Sequence, residues 1–180
     1  DRDASHLNAM YQVITGEPYP HKDDPYHIVV DGTEVPRHIA KNFSSFMQGS
    51  KSTKGTAHSV INHYKRKALE EKNPDVEDIK KYEQYVEFKK NIKPTDIAQA
   101  ILDKHPKVAK YYNRGKPYGD FISCWESDIV FEVVMELTKR GIPCLTVYDS
   151  FIVPFQYKDL VDSMKDITPY VDRRGIPNVL

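Results

Sequence analysis

Three groups of residues have types and spacings suited to chemistry. Asp149 stands with Ser150 between two hydrophobic runs, Leu145-Thr146-Val147 and Phe151-Ile152-Val153. The runs read as two short strands meeting at a turn. A carboxylate at such a tip can hold Mg²⁺, and two-metal phosphoryl transfer needs at least two carboxylates, with the ions about 4 Å apart. A second source of carboxylates is Asp1 and Asp3, just before a helical stretch that begins near Ser5. The third group is Arg37-x-x-x-Lys41. At i and i+4 on a helix, both side chains project from one face, from which they can grip a triphosphate. Each group also has a structural explanation. Asp and Ser suit turns because their side chains bond nearby backbone, an Asp before a helix is an ordinary N-cap, and an Arg–Lys pair can simply be solvated.

The charge around the third group is uneven. From Pro36 to Leu69 there are seven basic residues, Arg37, Lys41, Lys51, Lys54, Lys65, Arg66 and Lys67, and no acidic one. His38, His58 and His63 lie among them. The acids gather directly afterwards, at Glu70, Glu71, Asp75, Glu77 and Asp78. The formal net charge of the chain is zero, so the total says nothing about a polyanionic partner. A local basic segment can still hold phosphates, although a solvated helix face would look the same.

These residues need elements to position them. Leu7, Met10, Tyr11 and Ile14 give residues 5–15 helical spacing, and Gly16 ends that run. Residues 17–31 are rich in Pro, Asp and Tyr and read as loop, with a short extended piece at Ile28-Val29-Val30. Pro36 starts a helix to about Gln48, broken by Gly49-Ser50. Another helix is expected from about Thr53 to Lys72, with Val60, Ile61, Tyr64 and Leu69 as its apolar side. A charged helix covers about 76–91. Pro94-Thr95 opens one that carries Ile97, Ile101 and Leu102 inward and stops at His105-Pro106, and a short helix spans about 108–114. The strongest pattern runs from Asp120 to Arg140, with Ile122, Trp125, Ile129, Val133 and Leu137 as a stripe and Gly141 as C-cap. A last helix spans about 158–166.

The order is mostly helical with one late β-hairpin, an α+β chain of 180 residues. Cys124 and Cys144 have no metal-like spacing and read as reduced thiols, which suits a cytoplasmic compartment. No apolar run approaches the roughly 20 residues that cross a membrane, and no signal peptide is visible. The chain opens on Asp1 without a Met and is expected to be part of something longer.

The order of the three groups resembles family A DNA polymerases and their single-subunit phage-type RNA polymerase relatives. That family carries an Asp before a helix on a palm strand, then Arg-x-x-x-Lys on a fingers helix, then His-Asp-Ser or His-Asp-Glu at a palm hairpin. The matching stretches are Asp1 to Met10, Arg37 to Ser50, and Leu145 to Val153, with the last the most specific. The helix before the third stretch, with Glu126-Ser127, Val133, Leu137 and Gly141, is similar to the same region of phage polymerase-like proteins. The resemblance implies a palm in two parts, residues 1–35 and 120–180, around a fingers-like region at 36–119. It implies template-directed nucleotidyl transfer, DNA synthesis before RNA synthesis, with Asp1 or Asp3 and Asp149 holding two Mg²⁺ ions that Mn²⁺ can replace. It gives Arg37 and Lys41 the triphosphate and Phe43 or Phe46 the base. Lys51, Lys54, Lys65, Arg66 and Lys67 would track template or primer phosphates, and Tyr148 would meet the primer terminus. Tyr148 stands where the family has His. That departure suits an alternative, a non-catalytic palm that only binds nucleic acid.

Overall fold

The computed structural model describes residues 5–17, 19–20, 23–115, 118–147 and 150–164, with backbone only at 5, 6, 118, 119, 121, 122, 125 and 126. The chain is α+β and mostly helical, with two small antiparallel sheets. It divides into two compact units, Asp1–Pro20 with Asp120–Leu180, and His21–Gly119. The stretch 28–35, grouped with the first residues in the sequence, joins the second unit.

In the unit of residues 21–119, β1 (Ile28–Val30) pairs with β2 (Thr33–Val35) through Asp31 and Gly32, both at positive φ. Two positive φ angles are what a type I′ hairpin requires, and Asp-Gly supplies them at little steric cost. The spacing of apolar residues points to β1 but not to β2. Helix α2 (Arg37–Met47) starts after Pro36 and buries Ile39, Ala40, Phe43, Ser44 and Met47. Helix α3 (Thr53–Lys65) is capped by Ser52, whose hydroxyl accepts from the Gly55 amide at 3.1 Å. It runs into a π-turn at Arg66–Glu70. Its inner stripe is Thr56, Val60, Tyr64 and Ala68, in steps of four. Leu69, expected inside, falls one position past that stripe and is 58% exposed.

Helix α4 (Val76–Phe88) follows, capped by Asp75, and then α5 (Pro94–Lys104). Helices α2, α3 and α5 pack on one another, α5 also carries β1, and α4 lies against the π-turn. Their shared core includes Phe43, Tyr64, Tyr85, Ile97 and Ile101. The Tyr64 and Tyr85 rings stack at 5.1 Å. Burial pushes both phenols up, Tyr85 to about 12.

In the unit of residues 1–20 and 120–180, α1 (Ser5–Thr15) buries Leu7, Met10, Tyr11 and Val13. Helix α6 (Tyr118–Lys139) buries Ile129, Val133 and Leu137 and ends at Gly141, at positive φ. Strands β3 (Leu145–Val147) and β4 (Ser150–Ile152) form the expected antiparallel hairpin, and α7 (Lys158–Met164) follows.

Candidate nucleic-acid and nucleotide interface

Helix α2 separates two chemistries by its period. Ile39, Ala40, Phe43 and Met47 face the core, and Arg37 and Lys41 stand exposed one turn apart. Lys41 makes no ion pair among the described residues. Arg37 is held from two sides: its Nε donates to Asp24 Oδ2 at 2.6 Å, and its guanidinium lies 5.3 Å from the centre of the Tyr26 ring. Such a contact orients a planar cation as well as attracting it.

Asp24 is itself held in place. Its Oδ1 accepts from the Tyr26 amide at 3.0 Å. Burial pushes the Asp24 carboxyl up, but the Tyr26 amide, Arg37 and Lys104 together bring it below the usual carboxylate value. The loop carrying it is tied to the end of α5. Lys104 Nζ donates to Asp23 Oδ2 at 2.7 Å, Asp24 O at 3.1 Å and His27 O at 2.8 Å. Buried His105 meets Pro25 O at 2.9 Å through Nε2. A carbonyl only accepts, so that nitrogen carries the proton. Sequence reasoning gave Asp24 and Tyr26 no role; the signal was the turn-forming run Asp23-Asp24-Pro25-Tyr26, which lies far from α2 along the chain.

The two aromatic candidates occupy different surroundings. Phe43 is fully buried, its ring centre 6.3 Å from that of Tyr85, so it has no face left for a nucleotide. Phe46 is partly exposed and meets His63 edge-on at 5.3 Å. With Ser59, Asn62, His63, Lys65, Arg66 and Glu70 it lines a surface cavity of about 470 Å³. Burial, then Lys67 and Arg66, lower the His63 imidazole below its usual value, against Asp78 and Glu71. His63 is therefore mainly neutral near pH 7.

The basic candidates separate too. Lys51, Lys54, Lys65 and Arg66 are exposed and unpaired among the described residues, whereas Lys67 sits 3.7 Å from Asp78. Lys51 lies on Gly115, where an added Cβ would come 2.4 Å from Lys51 Cγ. Gly115 is also at positive φ, so this approach requires glycine. The neighbouring backbone is pinned across the α2–α3 turn by Asn113 N to Met47 O and Gly115 N to Ser50 O, both 2.7 Å.

Asp1, Asp3, Tyr148 and Asp149 lie outside the described residues. Among the described residues, no group of three His, Cys, Asp or Glu side chains could hold a metal ion. No helix described is long and apolar enough to cross a membrane, and Cys124 and Cys144 are free thiols. No family model, no curated protein and no solved structure matches the chain.

Proposed function

We propose that the chain is the catalytic core of a template-directed nucleotidyltransferase, a family A-like palm with fingers helices, acting on a primed nucleic acid and nucleoside triphosphates. The observation that carries the reading is helix α2. Its inner face is core, and its outer face presents Arg37 and Lys41 one turn apart, within a stretch that has no acidic residue from Pro36 to Leu69. A cationic pair fixed on a rigid helix can position a triphosphate, and positioning with electrostatic stabilisation is most of what catalyses phosphoryl transfer.

In this reading Arg37 and Lys41 bind the triphosphate, and Asp24 with Tyr26 keeps the Arg37 guanidinium oriented. Phe46 is the aromatic left to meet a base, and its neighbours Lys65, Arg66 and Glu70 suit a base of the bound strand more than that of the incoming triphosphate. Asp149 with Asp1 or Asp3 would hold two Mg²⁺ ions, which would activate the attacking hydroxyl and neutralise the leaving pyrophosphate. Exposed Lys51, Lys54, Lys65 and Arg66 hold strand phosphates. Tyr148 in place of the family's His favours one second reading, a palm that binds nucleic acid without catalysis.

Primer extension with Mg²⁺ and with Mn²⁺ separates the two. Where a longer parent protein extends a primer, Asp149→Asn should abolish extension while leaving primer-template affinity unchanged or slightly higher. The carboxylate acts only through the metals and otherwise repels phosphates. Extension that survives Asp149→Asn removes the assignment of that residue. A wild type that binds but never extends leaves only the binding module.

A further inference from the structure

We infer that the cavity between α2 and the π-turn after α3 seats one unpaired nucleotide of a single nucleic-acid strand. The inference deepens the reading of nucleic acid as the chain's partner and does not depend on catalysis. At about 470 Å³ the cavity lies within the range of ligand pockets, and its walls divide by chemistry. Phe46 gives an aromatic surface, steadied edge-on by His63. Every base has a π-face, so an aromatic wall accepts any of them. Lys65 and Arg66 bring two cations with no ion pair among the described residues, and an Arg fork with a Lys point charge is suited to phosphate oxygens. Ser59 adds a hydroxyl for a sugar or a base edge, and Asn62 adds its amide oxygen, its nitrogen meeting His58 Nε2 at 2.9 Å.

The backbone explains why the cations are there. An α-helix would bond the Glu71 amide to the carbonyl four residues back; here it reaches Arg66 O, five residues back, at 3.1 Å. The wider turn occurs where Lys65 and Arg66 leave α3, and such single turns recur at functional sites. Because His63 is mainly neutral, it packs on Phe46 without adding a third charge.

Glu70 decides between two phosphate-bearing ligands. Its carboxylate shares the wall with Lys65 and Arg66. It opposes the dense charge of a free triphosphate. A strand brings only one negative charge per nucleotide, and the same carboxylate can accept from the amino or imino groups of a base.

The test is fluorescence anisotropy of a labelled oligothymidylate over a salt series, on the full chain and its variants. Phe46→Leu should weaken binding by about tenfold, the loss of one stacked base, with an unchanged salt slope. Lys65→Gln with Arg66→Gln should weaken binding and flatten the slope by about 0.7 for each phosphate that is no longer neutralised. Lys80→Gln with Lys89→Gln, an equal charge change on exposed positions of α4 and just after it, should do neither. If that control pair matches the Lys65 and Arg66 pair, only general charge is at work and the seat is disproved. An unchanged affinity in folded Phe46→Leu disproves it as well. Should circular dichroism show that Phe46→Leu does not fold, the exposed pair still decides. Thymidine triphosphate that displaces the oligonucleotide at equal or lower concentration overturns the choice of a strand. Primer extension in parallel separates this inference from catalysis. Extension with Phe46→Leu binding the strand normally sinks the seat alone, and a loss of strand affinity without any wild-type extension sinks catalysis alone.

Discussion

Helices α2 and α3 carry charge differently from α4. On α4, Glu77 pairs with Lys81 at 2.6 Å, and Asp78 reaches Lys67 on the π-turn at 3.7 Å. Glu87 pairs with Lys90 just past its end. On α2 and α3, Lys41, Lys54 and Lys65 have no such partner among the described residues. Lys67 and Lys81 are half-buried, but paired Lys90 is exposed like Lys41, Lys54 and Lys65, so exposure alone cannot tell the regions apart. The location of the counter-charge can. A cation neutralised by its own helix contributes a few tenths of a kcal/mol to that helix, whereas a row of cations without nearby acids repels itself and draws counterions or a bound anion. Arg37 stands between these cases: it has a counter-charge, but Asp24 sits on a loop tied down by Lys104 and His105.

The largest effect should come from undermining the platform beneath the outward cations. Phe43→Ala should destabilise the fold by about 3–5 kcal/mol, read by urea denaturation, because Phe43 is fully buried. A loss below about 1 kcal/mol would mean that the core under α2 is not packed as described. Next comes the contrast itself. Lys41→Ala should raise the apparent KM for nucleoside triphosphate and lower kcat, with about a tenfold loss of triphosphate affinity, or about 1.4 kcal/mol. Lys81→Ala should leave affinity unchanged and cost about 0.3–0.5 kcal/mol of stability through its pair with Glu77. Equal effects of the two on triphosphate binding would erase the distinction.

A smaller effect concerns pH. His38 and His63 are both held below the usual imidazole value, chiefly by burial, with Lys81 beside His38 and Lys67 and Arg66 beside His63. The unfolded chain therefore binds protons first as pH falls. Stability from these groups is complete above about pH 6.5 and declines as pH drops through their folded values. Melting temperature should be flat from about pH 8 to 7 and fall from about pH 6.5 to 5, with a shallower fall in His38→Asn. Asp24, held below its usual value, adds a loss only below about pH 4. A melting temperature that rises on acidification would contradict the burial of both imidazoles.

Much of this was legible in the sequence because local signals set it. The helix at 37–47 follows from Pro36 and the spacing of Ile39, Ala40, Phe43 and Met47, and that spacing also points Arg37 and Lys41 outward. The late hairpin follows from two apolar runs around a turn, although Ser150, read as part of the turn, pairs with Val147 inside β4. Strand β2 was missed although Asp31-Gly32 announces it, because Thr33-Glu34-Val35 is too short to show alternation. What the sequence could not give was tertiary. Phe43 and Phe46 are three residues apart, and only the packing of Tyr85 and His63 against them separates a core ring from a surface ring. Asp24 meets Arg37 across thirteen residues, with Lys104 as the anchor some eighty residues away. No periodicity carries information over that distance.

The π-turn at Arg66–Glu70 also bears on which changes in chain length the protein can accept. Its Glu71-to-Arg66 bond spans one residue more than an α-helical bond. Removing one exposed residue between them, such as Leu69, would let the segment close as ordinary α-helix with a bond four residues back, so that what flanks the turn keeps its place. Lys67 and Ala68 precede Leu69 and would stay against Asp78 and in the core. Both substitution and deletion at Leu69 should therefore be tolerated. The turn is thus a place where the chain can lose a residue without losing its register.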